Sequence, residues 1–245
     1  MKPRIVVTAS AQNAAEEYLD ALRESGVEPI RLDAASATDD PLTQAEGLLV
    51  TGGVDVDPAR YGAAPSPTVT EVDRERDAFE VQLLQVARER KLPTFCICRG
   101  LQVANVAFGG SLIVDIPTAL AERALPHQVR TPEGKTERGL IDRHIVRIEP
   151  DSALAKIVGT TSLATGSRHH QAADRIAADL RVTARSDDGI VEALEARFVS
   201  PFWLAVQWHP ESTRTLDDGA SRALFRAFAA AANDYADKPS AASAS

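Results

Sequence analysis

Cysteine is scarce in this chain: two among 245 residues, Cys96 and Cys98, with one residue between them. So close a pair does not readily bridge, and no third cysteine offers a partner, so the fold is expected to be free of disulfides and the protein to be cytoplasmic. No apolar run reaches the roughly 20 residues that span a bilayer. The start, MKPRIVVTASAQN, has two early positive charges but too short an apolar stretch for a signal peptide, and reads as a first strand. Excess positive charge is also missing. The formal net charge is −8, which argues against nucleic-acid binding and against docking on an anionic membrane. What remains is an ordinary soluble composition, 44% hydrophobic and 25% charged, long enough for one large α/β domain or two small ones.

Residues 4–8 (RIVVT) read as a strand. Residues 14–25 read as a helix with Ala15, Tyr18, Leu19 and Leu22 on one face, and Gly26 stops it. EPIRLD and GLLVT are further strands, the second ending at Gly52-Gly53. A polar, proline-rich loop, 54–68, precedes a charged amphipathic helix over 73–91, whose EVDRERD run is expected to be a solvated face. LPTFCI, apolar nearly throughout, reads as a central strand, and 99–108 as a helix. Alternation of this kind predicts a doubly wound, mostly parallel sheet with helices on both faces. HIVRIE, LRVTARS, IVEALEA and WLAVQWH are short strands, some forming a smaller antiparallel edge, and a helix closes the chain. The reading is α/β, flavodoxin-like, with one domain over residues 1–237 and a frayed tail over 238–245.

Cys98 lies where an apolar strand meets a helix. Parallel sheets bind ligands at such strand ends. A sharp strand–nucleophile–helix turn lifts the side chain and aims a helix N-terminus at it, and the thiolate is the reactive form of cysteine. Cys96, inside the strand, reads as core. A nucleophile needs a base. WLAVQWHPE places His209 at another strand end, with Glu211 two residues on to orient the imidazole. TGGVDVDP follows an apolar strand with two glycines that can present a backbone N–H to an oxyanion.

The three segments LLVTGGVDVDPARYG, ICRGLQVANVAFGGSLIVDI and AVQWHPE together resemble the class I glutamine amidotransferase-like superfamily. DRERDAFE, SRHHQ and RVTARSDDGIVEALE resemble its γ-glutamyl-γ-aminobutyrate hydrolase branch, and the likeness covers about residues 3 to 230. It implies hydrolysis of a γ-glutamyl amide with Cys98 as nucleophile, His209 as base and acid, and Glu211 as orienter. It makes the N–H groups of Gly53 and Arg99 the oxyanion donors, and it needs no metal or organic cofactor. Gln102, one helical turn after Cys98, holds the glutamyl group in the family, and Arg168, His169, His170 and Gln171 stand beside the mouth of the site, against a plain reading of a loop capped by polar side chains. The family usually has glycine where this chain has Cys96, which puts the geometry of the turn in question. Asp55, Asp57 and Tyr61 line the pocket or cap turns, and His144 has no role. A zinc site from Cys96, Cys98, His169 and His170 is disfavoured, because one residue between thiols is too few for the usual spacing.

The partner is then a small γ-glutamyl compound, with no nucleic acid and no membrane, and a homodimer is an open alternative to the monomer. Two other functions stay open: a glutaminase supplying ammonia to a synthetase, and a catalytically disabled binding protein of the same fold.

Overall fold

The computed structural model describes residues 1–10, 15–36, 40–128, 142–215 and 219–237. The proposed tail, 238–245, lies outside them.

A nine-stranded sheet organises the molecule. In chain order its strands are β1 (Arg4–Thr8), β2 (Glu28–Leu32), β3 (Gly47–Val50), β4 (Thr94–Ile97), β6 (Asp142–Ile148), β7 (Ser162–Ser167), β9 (Leu180–Ser186), β10 (Val191–Ala196) and β11 (Trp203–Val206). A separate ribbon pairs β5 (Leu112–Ile113) with β8 (Ala172–Ala173). Across the large sheet the order is β2-β1-β3-β4-β11-β10-β9-β6-β7. The first five are parallel, and the remaining pairings are antiparallel. The expected parallel centre and antiparallel edge are both present. The strand β7 is an addition to the strands read from sequence.

Alternation along the parallel strands sorts side chains to two cores. Ile5, Val7, Leu49, Phe95, Leu204 and Val206 pack on one face with α1 (Glu16–Glu24), α5 (Ala153–Val158) and α6 (Gly219–Ala236). Val6, Leu48, Val50, Cys96 and Ala205 pack on the other with α2 (Arg74–Glu89) and α3 (Arg99–Ala107). Phe95 meets Phe202, Phe225 and Phe228 at ring separations of 6.0, 5.6 and 5.8 Å. A short helix α4 (Ile116–Leu120), N-capped by Asp115, leads away from the ribbon. Among the described residues no helix is long and apolar enough to cross a membrane.

The helix α2 corrects one expectation. Its start is capped by Asp73, whose carboxylate accepts from the Arg76 N–H at 3.0 Å. The EVDRERD run is a solvated face only in part: Glu71, Arg74 and Glu75 are exposed, but Arg76 and Asp77 are buried, as is Glu80 one turn on. Charges enter a core only when paired, and these meet Arg99 from α3.

Candidate active site

Cys98 follows β4 directly and occupies the N-cap of α3 with φ 55° and ψ −108°. A side chain at positive φ costs on the order of 1–3 kcal/mol, so the surroundings must impose it. Two contacts do so. The Cys98 N–H donates to the Val206 carbonyl of β11 at 2.8 Å. Gly100 lies so close to β3 that a Cβ there would stand 2.2 Å from the Val50 carbonyl oxygen. Residues two apart on a strand ordinarily share a face, yet Cys98 packs with the first core and Cys96 with the second. The positive φ turns the sulfur of Cys98 out of the strand's register. Cys96 is buried in the second core with Leu48, Val50, Leu101 and Ala205, and burial, then Glu80, pushes its thiol well above its usual pKa.

The base comes from the neighbouring strand. The pairing of β4 with β11 sets Ile97 opposite Val206, so both chains leave the sheet at the same edge. His209 lies three residues past β11, and its N–H donates to the Gly166 carbonyl of β7 at 3.2 Å. Its Nδ1 donates to Glu211 Oε1 at 2.6 Å, which leaves Nε2 as the nitrogen available to Cys98, a residue near enough to act on the ring. Burial opposes charging this imidazole, but the Glu211 carboxylate and Cys98 outweigh it and push its pKa up to about 10. Burial raises Glu211 while His209 lowers it, and the pairing wins.

Tyr18, read from sequence only as a core residue of α1, reaches this site. Its hydroxyl accepts from the Gly52 N–H at 3.1 Å and feels the Glu211 carboxylate. Burial, then Glu211 and Cys98, push the phenol well above its usual pKa, so it stays protonated beside the carboxylate. The Gly52 N–H is thereby occupied, and of the glycine pair Gly53 is the one next to Arg99, the first residue of α3, whose N–H lacks an intrahelical acceptor.

Beneath the turn lies the charged group from α2 and α3. Arg76 donates to Glu80 Oε1 at 2.8 Å, to the Thr51 carbonyl at 3.2 Å and to the Gly52 carbonyl at 3.0 Å. Arg99 forms short ion pairs with Asp77 and Glu80. Thr8 completes Glu80 at 2.6 Å, and the Asp57 N–H completes Asp77 at 3.0 Å. The two guanidinium groups hold the Gly52-Gly53 turn and the first residue of α3 against each other. Spacing carried one signal of this: Arg76 and Glu80 stand four apart.

Arg168, His169, His170 and Gln171 diverge. The Arg168 guanidinium donates to Ser212 Oγ at 2.9 Å and stands 3.5 Å from Glu211 Oε1. His170 bridges Asp55 at 2.8 Å and Asp115 at 3.0 Å. Burial disfavours its charge, yet the two carboxylates raise its pKa. Gln171 Oε1 accepts from the Val56 N–H at 3.2 Å. Gln102 is buried and donates to the Gln171 carbonyl at 2.9 Å and to Gln207 at 3.3 Å, so its amide is turned to the protein's own backbone. His169 is turned away from Cys98 altogether and enters a buried group with His127, His144 and Glu192. The four-residue zinc set considered from sequence is therefore not assembled. Among the described residues His127, His169 and Glu192 bring metal-ligating atoms together instead. Asp57 caps a turn, accepting from the Ala59 N–H at 3.2 Å, as the plainer reading of that loop had it.

Comparison with known proteins bears on the family and the fold. The peptidase C26 family model matches residues 2–211. A γ-glutamyl-γ-aminobutyrate hydrolase of Escherichia coli O157:H7 is 35% identical over 235 residues, covering 92% of this chain and 89% of that protein. A Mycobacterium tuberculosis protein, named provisionally as a glutamine amidotransferase, is 39% identical over 201 residues, and the chain spans 60% of its length. The glutaminase domain of Trypanosoma brucei CTPS with bound acivicin superposes with a TM-score of 0.64 at 21% identity, over 95% of this chain and 94% of that one. A Thermotoga maritima glutamine amidotransferase superposes at 0.63 and 11% identity, over 97% and 100%. With the matched model spanning most of the chain and the fold shared, the protein belongs to the peptidase C26 family, the class I glutamine amidotransferase-like hydrolases.

Proposed function

We propose that the chain hydrolyses small γ-glutamyl amides through a γ-glutamyl thioester on Cys98. The observation that carries this is a cysteine held at positive φ on the N-cap of a helix, with the His209–Glu211 pair delivered by the adjacent parallel strand. The relatives named γ-glutamyl-γ-aminobutyrate hydrolase support the γ-glutamyl substrate class.

The reaction runs in two halves. The Cys98 thiolate attacks the γ-carbonyl, and the electron pair moves to oxygen, where the N–H groups of Gly53 and Arg99 receive it. The intermediate collapses, the C–N bond breaks, and His209 gives its proton to the departing amine. Water then attacks the thioester carbonyl as His209 takes a proton from it, glutamate leaves and the thiolate returns. Glu211 keeps the imidazole in one orientation and supports its charge. Arg168, beside Glu211, offers a guanidinium to the substrate's carboxylate, and Gln102 acts as a positioning residue for the segment that carries Gln171.

Incubation with γ-glutamyl-γ-aminobutyrate and, separately, with glutamine tests this. The expected result is glutamate and free amine from the first, with a covalent adduct on Cys98 when a glutamine-like electrophile is supplied. Turnover of glutamine alone would replace the reading with that of a glutaminase, and an unmodified Cys98 with no turnover would replace it with that of a binding protein.

A further inference from the structure

The buried histidine group has a feature that protein atoms alone do not complete. His127 Nε2 is 3.0 Å from Asp188 Oδ2, a carboxylate that can only accept, so that nitrogen carries the proton. His169 Nδ1 is 2.9 Å from the Gln171 carbonyl, so it too carries the proton. Both rings are thereby set in tautomers whose other nitrogen faces inward with a free lone pair. Those nitrogens, His127 Nδ1 and His169 Nε2, stand 3.4 and 3.5 Å from Glu192 Oε1. Neither has a hydrogen-bond partner, and neither does Glu192 Oε2. All three residues are buried.

Two lone pairs and a carboxylate facing one another repel unless a positive centre lies among them. Two added protons are one answer. A charge-assisted N–H···O bond, however, draws its atoms to about 2.7–2.9 Å, and these separations are longer. They match instead the edge of a metal coordination shell: bonds of about 2.0–2.1 Å in tetrahedral array put neighbouring donors about 3.3 Å apart. The outer contacts fit as well, since metal-binding histidines commonly donate their second N–H to a carboxylate or a backbone carbonyl. Here Asp188 and Gln171 fill those places, and His144 Nε2 steadies Glu192 Oε1 from behind at 3.1 Å. Charge also balances, because Glu192 and Asp188 together offset one divalent ion held by neutral imidazoles.

We propose that His127 Nδ1, His169 Nε2 and the Glu192 carboxylate form a binding site for one divalent transition ion, zinc first, with a fourth position left for water. The ion ties the segment before residue 128 and the segment after β7 to strand β10. His169 lies between Arg168, beside Glu211, and His170, so the ion fixes the stretch that faces the triad without touching Cys98. This site is independent of the proposed hydrolysis.

Titration of the chelator-stripped full chain with cobalt and with zinc tests it. One ion per chain is expected, with a cobalt visible spectrum of nitrogen and oxygen donors, and amide exchange slowed at residues 125–128 and 167–171. Glu192→Gln and His169→Ala should weaken binding at least ~100-fold, and Asp188→Asn about 10–100-fold, while Cys98→Ala binds as the parent does. A thiolate-to-cobalt charge-transfer band, unchanged affinity in folded Glu192→Gln, or no stoichiometric binding by the folded parent chain would each overturn the proposal. The spectrum of the parent chain decides the matter even if a variant fails to fold.

Discussion

Two buried charged groups flank the candidate site, and they differ in how complete they are. Under the turn at Cys98, Arg76 and Arg99 face Asp77 and Glu80, and all four carboxylate oxygens have partners from the protein, while one donor of each guanidinium, Arg76 Nη1 and Arg99 Nε, has none. In the histidine group one oxygen of Glu192 and the inward nitrogens of two rings have none. A guanidinium is a fixed fork of donors that matches a carboxylate without help. An imidazole presents one donor and one acceptor, and once its donor is spent outward the acceptor is left for a donor or a cation. The first group therefore has every acceptor filled and only donors to spare, while the second has acceptors to spare.

The largest effect that separates the two regions is on turnover. Cys98→Ala should lower kcat by roughly 10⁴-fold or more and leave metal binding intact. Cys98→Gly should be equally inactive but more stable by about 1–3 kcal/mol, because glycine relieves the positive φ. Urea unfolding of both variants checks this, and normal activity in either would remove Cys98 from the mechanism.

Next comes stability. Glu80→Gln leaves two guanidinium groups short of a carboxylate and should cost roughly 3–5 kcal/mol, whether or not a chelator is present. The histidine group should behave in the opposite way, with chelation lowering the Tm of the parent chain but not that of Glu192→Gln. Equal responses to chelator in both variants would erase the contrast.

The pH dependence of kcat/KM is the third test. His209 is raised to about 10, so the imidazolium that protonates the leaving amine is present through neutral pH and is lost as pH rises toward about 10. The same sign holds for stability: the contribution of the paired imidazolium is full below its ordinary value of about 6.5 and fades as pH climbs through the folded one. Glu211→Gln removes the largest raising influence, so the alkaline limb should move down toward neutrality. A limb that stays in place in this variant would remove Glu211 from the orienting role.

The smallest effect is expected at Cys96. Its side chain already fits among Leu48, Val50 and Leu101, so Cys96→Gly should retain turnover within about tenfold while losing some stability to the cavity it leaves. Steady-state kinetics on the variant suffices, and loss of activity comparable to that of Cys98→Ala would show that the residue before the turn shapes the nucleophile after all.

Much of the fold was legible in the chain. Period-two alternation in RIVVT, GLLV and TFCI, with helices between, is a local pattern and needs nothing else to be read. The placement of Cys98 and His209 was legible too, since each follows an apolar strand beside its own marker: Gly100 after Cys98, and Pro210 and Glu211 after His209. Tyr18 was not, because its ring shares a helix face with Leu19 and Leu22 and nothing local says that its hydroxyl reaches Gly52. The polar run SRHHQ was misleading for the reverse reason: five adjacent polar residues suggest one surface, whereas its backbone sends Arg168 to Glu211, His169 inward and His170 to Asp55 and Asp115.

By itself the sequence determined the order of the parallel strands and their long helices, and the chemistry available at Cys98, His209 and Glu211, because each follows from neighbours a few residues away. The partners of Tyr18, the burial of Arg76, Asp77 and Glu80, and the meeting of His127, His169 and Glu192 were decided only by the tertiary structure. Their partners lie tens of residues distant, and whether a charge or an imidazole is solvated or paired depends on which strands the sheet sets side by side.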